Sequence, residues 1–265
     1  MPTVRAPAAR LAVDPPADAP WNFGRDEALH AAAAATGSVL LRVYGWSAPT
    51  VSFGRNETAV GQYSPARLAA LGLTPTRRLT GGRALVHTAE LTYAVAAPVD
   101  PSVSLRASVD GMNRVLAAAL RSLGVGAALV PAGAPTVPVS AGACFGAPSV
   151  GEVMVDGQKL AGSAQWRDGG AFLQHGSILI RDDQPLLRAA LAPGIVARDV
   201  PPAATLAQAT AVPPAPAAFA AALAVAFAAE FGIEVELVAS EALLAAGAGD
   251  RFAARYGDPA WIWRR

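Results

Sequence analysis

Apolar and polar positions change their spacing several times along the chain, and each change marks an element. Residues 21–36 carry Asp26 and Glu27 in the early turns, then five consecutive alanines, and stop at Gly37, which predicts a helix. Residues 39–46 and 50–54 are β-branched and aromatic on either side of a Ser-Ala-Pro break and read as paired strands. Ser64-Pro65 opens a short helix that Gly72 closes. From Thr76 the pattern is strand, glycine turn, strand, with 76–80 leading through Gly81-Gly82-Arg83 into 84–87 and 91–98. Val109, Met112, Val115, Leu116 and Leu120 recur at three- and four-residue spacings, so a helix over about 104–123 has one buried stripe. Residues 125–150 carry no charge and are rich in Gly, Pro and Ala, predicting a strand at 127–130 and then a long loop. Asp156-Gly157 is the two-residue turn of a hairpin, 171–180 is a strand, 216–231 a helix, 234–238 a strand and 240–256 a last helix. Residues 1–20 lack periodicity and read as an arm or edge strand with a linker. Strands mostly follow one another without crossover helices, so the fold class is α+β, a mixed, largely antiparallel central sheet flanked by helices.

Composition narrows the function. Apolar residues make up 53% and charged residues 15% of 265, against roughly 25% charged in an ordinary domain, so the chain has the means to bury a core. Lysine plus arginine is 21 and aspartate plus glutamate 20, a net of +1, which provides no global field for nucleic acid; an anionic partner must be held locally. Residues 200–229 are uncharged, yet Pro201, Pro202, Pro213, Pro214 and Pro216 leave only 217–229 unbroken, short of the roughly 20 residues of a spanning helix. The first twenty residues have no secretory h-region, so no membrane association and a cytoplasmic location are expected. Cys144 is the single cysteine.

Chemistry concentrates in three places. Arg77-Arg78-Leu79-Thr80-Gly81-Gly82-Arg83 sets forked guanidinium donors around glycines that let a ligand approach the backbone, and suits a phosphate or carboxylate; a surface hairpin with solvated arginines has the same composition. Lys159 leads into Gly162-Ser163-Ala164, where small residues allow a ligand close to an ammonium that can stabilise an oxyanion, although most strand lysines are merely solvated. Cys144, between Gly142 and Gly146, is either a buried inert thiol or a nucleophile for acyl groups. His87 and His175 lie in strand contexts, as structural histidines often do. No zinc-type spacing, GxxxxGK[ST], GxGxxG or GxSxG motif is present, so no metal site is expected.

Five ordered segments resemble the lipoate and biotin cofactor-transferase superfamily, the catalytic domain shared by lipoate-protein ligases and octanoyltransferases. They are the helix over 22–29, Ser52-Phe53-Gly54-Arg55-Asn56, the run from Arg77 to His87, Asp156 to Gln165, and Gln174-His175-Gly176-Ser177-Ile178-Leu179. The resemblance implies an acyltransferase or ligase-like catalytic domain over 21–265. Its acyl site would draw on Arg77, Arg78, Thr80, Gly81, Gly82, Arg83, His87, Gly162, Ser163, Ala164, His175 and Gly176, with Lys159 at the acyl carbonyl or its activated phosphate. Cys144-Phe145-Gly146-Ala147-Pro148-Ser149-Val150-Gly151-Glu152 is similar to the Cys-Phe-x-x-Pro-Ser-x-x-Glu pattern of the ligase-like octanoyltransferases, whereas Ala192-Pro193-Gly194 lacks the thiol of the other transferase type. That implies a Cys144 acyl-enzyme that takes octanoyl, or lipoyl, from a phosphopantetheine acyl carrier and passes it to a lysine of a lipoyl-domain protein such as the glycine-cleavage H protein or a dehydrogenase E2. No cofactor is implied, because a thioester is already activated. An ATP- and Mg²⁺-dependent lipoate ligase and a non-catalytic acyl- or carrier-binding module are the alternatives.

Overall fold

A computed structural model describes residues 8–131, 151–197 and 201–265. In chain order it begins with β1 (Ala9–Val13), α1 (Ala19–Thr36), β2 (Leu40–Tyr44), β3 (Thr50–Phe53), α2 (Pro65–Ala70), β4 (Thr74–Arg77), β5 (Leu85–His87) and β6 (Glu90–Pro98). Then come α3 (Leu105–Ser122), β7 (Ala128–Leu129), β8 (Val153–Val155), β9 (Gln158–Lys159), β10 (Ala161–Asp168) and β11 (Ala171–Leu179). The rest is helical apart from one strand: α4 (Leu186–Ala189), α5 (Leu206–Ala209), α6 (Pro216–Phe231), β12 (Val235–Val238), α7 (Ser240–Leu243), α8 (Asp250–Gly257) and α9 (Pro259–Ile262).

The main sheet has the order β10-β11-β6-β2-β1-β12. Its β10–β11, β11–β6 and β6–β2 pairs are antiparallel, and β2–β1 and β1–β12 are parallel. It is the mixed, largely antiparallel sheet that the order of elements predicted. One face packs on α3 and α6 through Leu41, Val43, Tyr93, Val95, Val115, Leu116, Phe219 and Leu223, all buried. The other face packs on α1 through Leu29, Ala33, Leu40, Tyr44, Ala94 and Leu173. Burying a large aliphatic side chain stabilises by about 1.5–3 kcal/mol, so these two layers hold the sheet as a rigid wall for whatever lies against it.

Helix ends fall where the capping residues place them. Asp18 caps α1 by accepting from the Trp21 amide, and Gly37 ends it at φ 71°. Ser64 and Ser104 cap α2 and α3 by accepting from Arg67 and Ala107. The Asp156-Gly157 hairpin is present, with φ 48° and 77° at the two turn residues.

Four sequence expectations give way to the structure. Strands β2 and β3 do not pair: β2 lies fully buried between β1 and β6, and after Gly45 the chain crosses to a second sheet, β4-β3-β5. Within that sheet β3 sits between β4 and β5, so the Gly81-Gly82 loop joins strands that flank a third rather than a hairpin pair. Residues 1–20 contribute an interior strand, since β1 hydrogen-bonds to β2 on one side and β12 on the other. The last predicted helix is broken into α7 and α8, because Gly247 at φ 69° and Gly249 interrupt it.

Candidate active site

Strand register decides which side chains meet between the two sheets and α1. In the main sheet Thr92 pairs with both Tyr44 and Ser177, and Ser177 pairs with Gly162, so these residues share one face with Glu90, His175 and Ala164 two positions along. In the second sheet Ser52 pairs with Leu85 and Thr76, and Thr50 with His87, which puts Ser52, Thr76, Leu85 and His87 on one face. Arg78 continues that row past the end of β4. These rows and Phe23 of α1 line a small, partly open cleft together with Tyr44, Arg78, Leu85, His87 and His175 among others.

The same alternation separates the two adjacent arginines. Arg77 points to the opposite side and is fully buried; its guanidinium donates to the carbonyls of Ile262 (2.8 Å), Gly54 (2.7 Å) and Glu57 (2.8 Å), tying β4 to the C-terminal helices. Burial and the charges of Arg264 and Arg265 pull it down to about 10. Arg78 reaches the cleft, and it fastens the glycine loop by donating to Ser52 Oγ (2.9 Å), Gly81 O (2.9 Å) and Arg83 O (2.7 Å). Gly54 locks the loop from the other side, for a Cβ there would stand 2.0 Å from Gly82 O.

Two buried carboxylates support the cleft from behind. Asp26 of α1 accepts from Arg42 Nη1 (2.8 Å), Tyr44 Oη (3.0 Å) and His175 Nδ1 (2.9 Å), and Arg42 also donates to Asp14 (2.6 Å) and to Asn22. Burial lowers the His175 pKa against the opposing pull of Asp26, so the ring is neutral at pH 7. With Nδ1–H given to Asp26, His175 Nε2 accepts from Thr80 Oγ1 at 2.6 Å, linking the glycine loop to the main sheet. Glu90 Oε1 accepts from His87 Nδ1 (2.9 Å), Trp46 Nε1 (2.9 Å), Thr92 Oγ1 (2.6 Å) and Ser177 Oγ (2.7 Å). Burial alone would raise the Glu90 carboxyl, but the neighbouring His87 and these hydrogen bonds outweigh it and hold it low. Glu90 Oε2 is buried with no partner among the described residues. His87 Nε2 bonds Ser52 Oγ at 2.7 Å, and Trp46 stacks on its ring at 4.1 Å. Both histidines thus have both ring nitrogens engaged and offer the cleft carbon.

Where β10 and β11 run together, the backbones come close enough that a Cβ on Gly176 would lie 2.6 Å from Gly162 O and 2.8 Å from Ser163 Oγ. Of the residues expected at an acyl site, Arg78, His87, Gly162, Ser163, Ala164, His175 and Gly176 line the cleft. Thr80, Gly81, Gly82 and Arg83 form the loop behind Arg78, and Arg77 lies away from it. Lys159 is buried on β9 with its Nζ 2.7 Å from Glu152 Oε1 and is not among the residues that line the cleft. Glu152 is the final residue of the Cys-Phe-x-x-Pro-Ser-x-x-Glu pattern; Cys144 lies outside the described residues. Asp26, Ser52, Glu90, Thr92 and Ser177 were not anticipated. Their signal is alternation: Glu90 and Thr92 are polar positions two apart at the start of an otherwise apolar strand, and Asp26 follows Asn22 by one helical turn in an alanine-rich helix. Among the described residues no group of three His, Cys, Asp or Glu side chains could hold a metal ion. Nor, among them, is any helix long and apolar enough to cross a membrane.

The family model for the lipoyl protein ligase A/B catalytic domain matches residues 18–228. Octanoyltransferase LipM of Moorella thermoacetica is 41% identical over 145 residues, 53% of either chain. The proteins of the same name from Symbiobacterium thermophilum and Kyrpidia tusciae are 40% identical over 178 and 187 residues, covering 63% and 65% of this chain and 64% and 66% of theirs. The chain therefore spans about half to two thirds of the length of these curated relatives. Among solved structures, lipoate-protein ligase A bound with ATP aligns at a TM-score of 0.75 and 21% identity, covering 97% of this chain and 99% of that one. The bi-partite lipoate protein ligase of Thermoplasma acidophilum aligns at 0.74 and 20%, covering 97% of each. At that identity the likeness is one of fold.

Proposed function

Because the chain belongs to the lipoyl protein ligase A/B catalytic-domain family, we propose that it is an acyltransferase that moves an octanoyl group from a carrier thioester to a lysine of a lipoyl-domain protein through a Cys144 acyl-enzyme. The observation that carries this reading is the identity of about 40% to several proteins named octanoyltransferase LipM, supported by a cleft lined by most of the residues expected at the acyl site. Each methylene of a saturated chain buried there would contribute about 0.8 kcal/mol.

In the proposed cycle the Cys144 thiolate attacks the thioester carbonyl; a carbon–sulfur bond forms to the enzyme, the bond to the carrier breaks, and the carrier leaves as its thiol. The acceptor lysine, as free amine, then attacks the acyl-enzyme, forming the amide and releasing the Cys144 thiolate. Lys159 would face the developing oxyanion, and its pairing with Glu152 would hold the ammonium at the end of the cysteine segment. Arg78, His87 and His175 shape the acyl slot, and the Asp26–His175–Thr80 chain sets the loop that closes it. Neither nucleotide nor metal enters, since the thioester supplies the activation. A cytoplasmic location suits a donor and acceptor that are both carrier proteins.

The direct test mixes the protein with octanoyl-acyl carrier protein and an apo lipoyl domain, without nucleotide. Octanoylation of the domain is the expected result. Transfer only from free acid with ATP, with release of pyrophosphate, would contradict it.

A further inference from the structure

A cluster of arginines and tryptophans adjoins the segments that carry the cleft's lining residues. Arg55 follows Gly54, and its amide donates to Thr80 O at 2.8 Å, so its side chain starts from the glycine loop. Its guanidinium lies 5.3 Å from the ring of Trp166 on β10, the strand that brings Gly162 and Ala164 into the cleft. Arg55 therefore links the glycine loop to β10, two segments that flank the cleft. Arg264 donates to the Arg55 carbonyl and stacks on Trp261 at 3.9 Å, and Arg255 approaches the same indole at 5.3 Å. Trp261 is itself fixed by its Nε1 donating to Arg77 O at 2.8 Å.

Arginines outnumber carboxylates here, with Glu57 and Glu27 set against Arg55, Arg77, Arg255 and Arg264. Arg255 pairs with Glu27, but among the described residues neither Arg55 nor Arg264 forms an ion pair. Burial, and then repulsion from Arg55, Arg265 and Arg255, lowers the Arg264 pKa. On a chain of net charge +1 such a cluster is a local device rather than part of a general field. Guanidinium groups resting over indoles have less rotamer freedom to lose, and their forked donors match a phosphate better than a diffuse acidic surface.

Resting on the acyl-transfer reading, we propose that Arg55 and Arg264 form a phosphate site beside the cleft that holds the phosphodiester of the donor's pantetheine arm while its acyl group occupies the cleft. A nucleotide phosphate has the same chemistry, so the test separates the two sources. Transfer is measured from octanoyl-4′-phosphopantetheine and from octanoyl-pantetheine with Arg55→Gln, Arg264→Gln and the wild type. Losing one charge-assisted bond to phosphate should raise KM for the phosphorylated donor about tenfold or more, while KM for the unphosphorylated donor moves less than twofold. Equal effects on both donors, or an effect confined to the lipoyl-domain acceptor, would overturn the proposal. A calorimetric titration of the full chain with 4′-phosphopantetheine, pantetheine and ATP reads the site without turnover. Phosphate-dependent pantetheine binding weakened in Arg264→Gln supports the proposal even if no transfer is seen; binding of ATP alone, or of neither phosphate, rejects it.

Discussion

Replacing Gly54 by alanine isolates the packing that shapes the glycine loop. A Cβ at Gly54 would lie 2.0 Å from Gly82 O and 2.9 Å from Gly82 C, where ordinary contact begins near 3.4 Å. Both sides are backbone, and Gly54 is itself pinned by Arg77, which donates to its carbonyl at 2.7 Å. The loop must therefore retreat by more than 1 Å, straining the Arg78 bonds to Gly81 O and Arg83 O and the Arg55 amide bond to Thr80 O. Overpacking costs about 1–3 kcal/mol, and each hydrogen bond lost about 1 more, so Gly54→Ala should lose about 3 kcal/mol of stability. A displacement on the order of 1 Å beside the acyl site should also slow transfer about 100-fold. Gly81→Ala is the control, since its Cβ would meet nothing within 4 Å and its φ is not in the left-handed region. It should stay within about 0.5 kcal/mol of wild type. Urea denaturation of both variants decides the matter: a Gly54→Ala protein of wild-type stability, or a Gly81→Ala protein equally weakened, refutes the argument.

Other outcomes follow from the buried carboxylates. Thr80→Val leaves His175 Nε2 buried without its donor and should cost about 1–3 kcal/mol in denaturant titrations, whereas Thr80→Ser should restore stability and transfer rate together. Arg42→Met removes the cation shared by Asp14 and Asp26, and a drop of about 3–5 kcal/mol is expected from the urea midpoint. Acid should weaken the fold in two stages. His175 has its folded pKa lowered, so its contribution is complete above about 6.5 and fades below that, at up to about 1.4 kcal/mol per pH unit. Glu90 is likewise lowered, so its share holds above about 4.5 and is lost as pH falls through its folded value. Stability measured from pH 8 to 3 should show the first decline in wild type and lose it in His175→Gln.

The elements most readable from sequence are those that local chemistry sets alone. The helices at 19–36, 65–70 and 105–122 end at capping residues whose side chains bond the backbone within the same turn. The Asp156-Gly157 hairpin is similarly local. Pairing is different, because β2 and β3 differ little in composition and only the register of distant strands sends one to each sheet. The site divides along the same line. Arg78, His87, His175 and the small residues of β10 could be picked out by type, but the opposite roles of Arg77 and Arg78 depend on which face of β4 meets the cleft. Glu90 escaped notice because its partners, Trp46, His87, Thr92 and Ser177, come from separate segments brought together by the fold.

Intact-mass spectrometry of the protein after brief incubation with octanoyl-acyl carrier protein alone tests covalent transfer most directly. One added octanoyl mass, released by hydroxylamine and missing in Cys144→Ser, is the predicted result. Transfer to the lipoyl domain that proceeds equally well in Cys144→Ser, with no adduct in either protein, would contradict it.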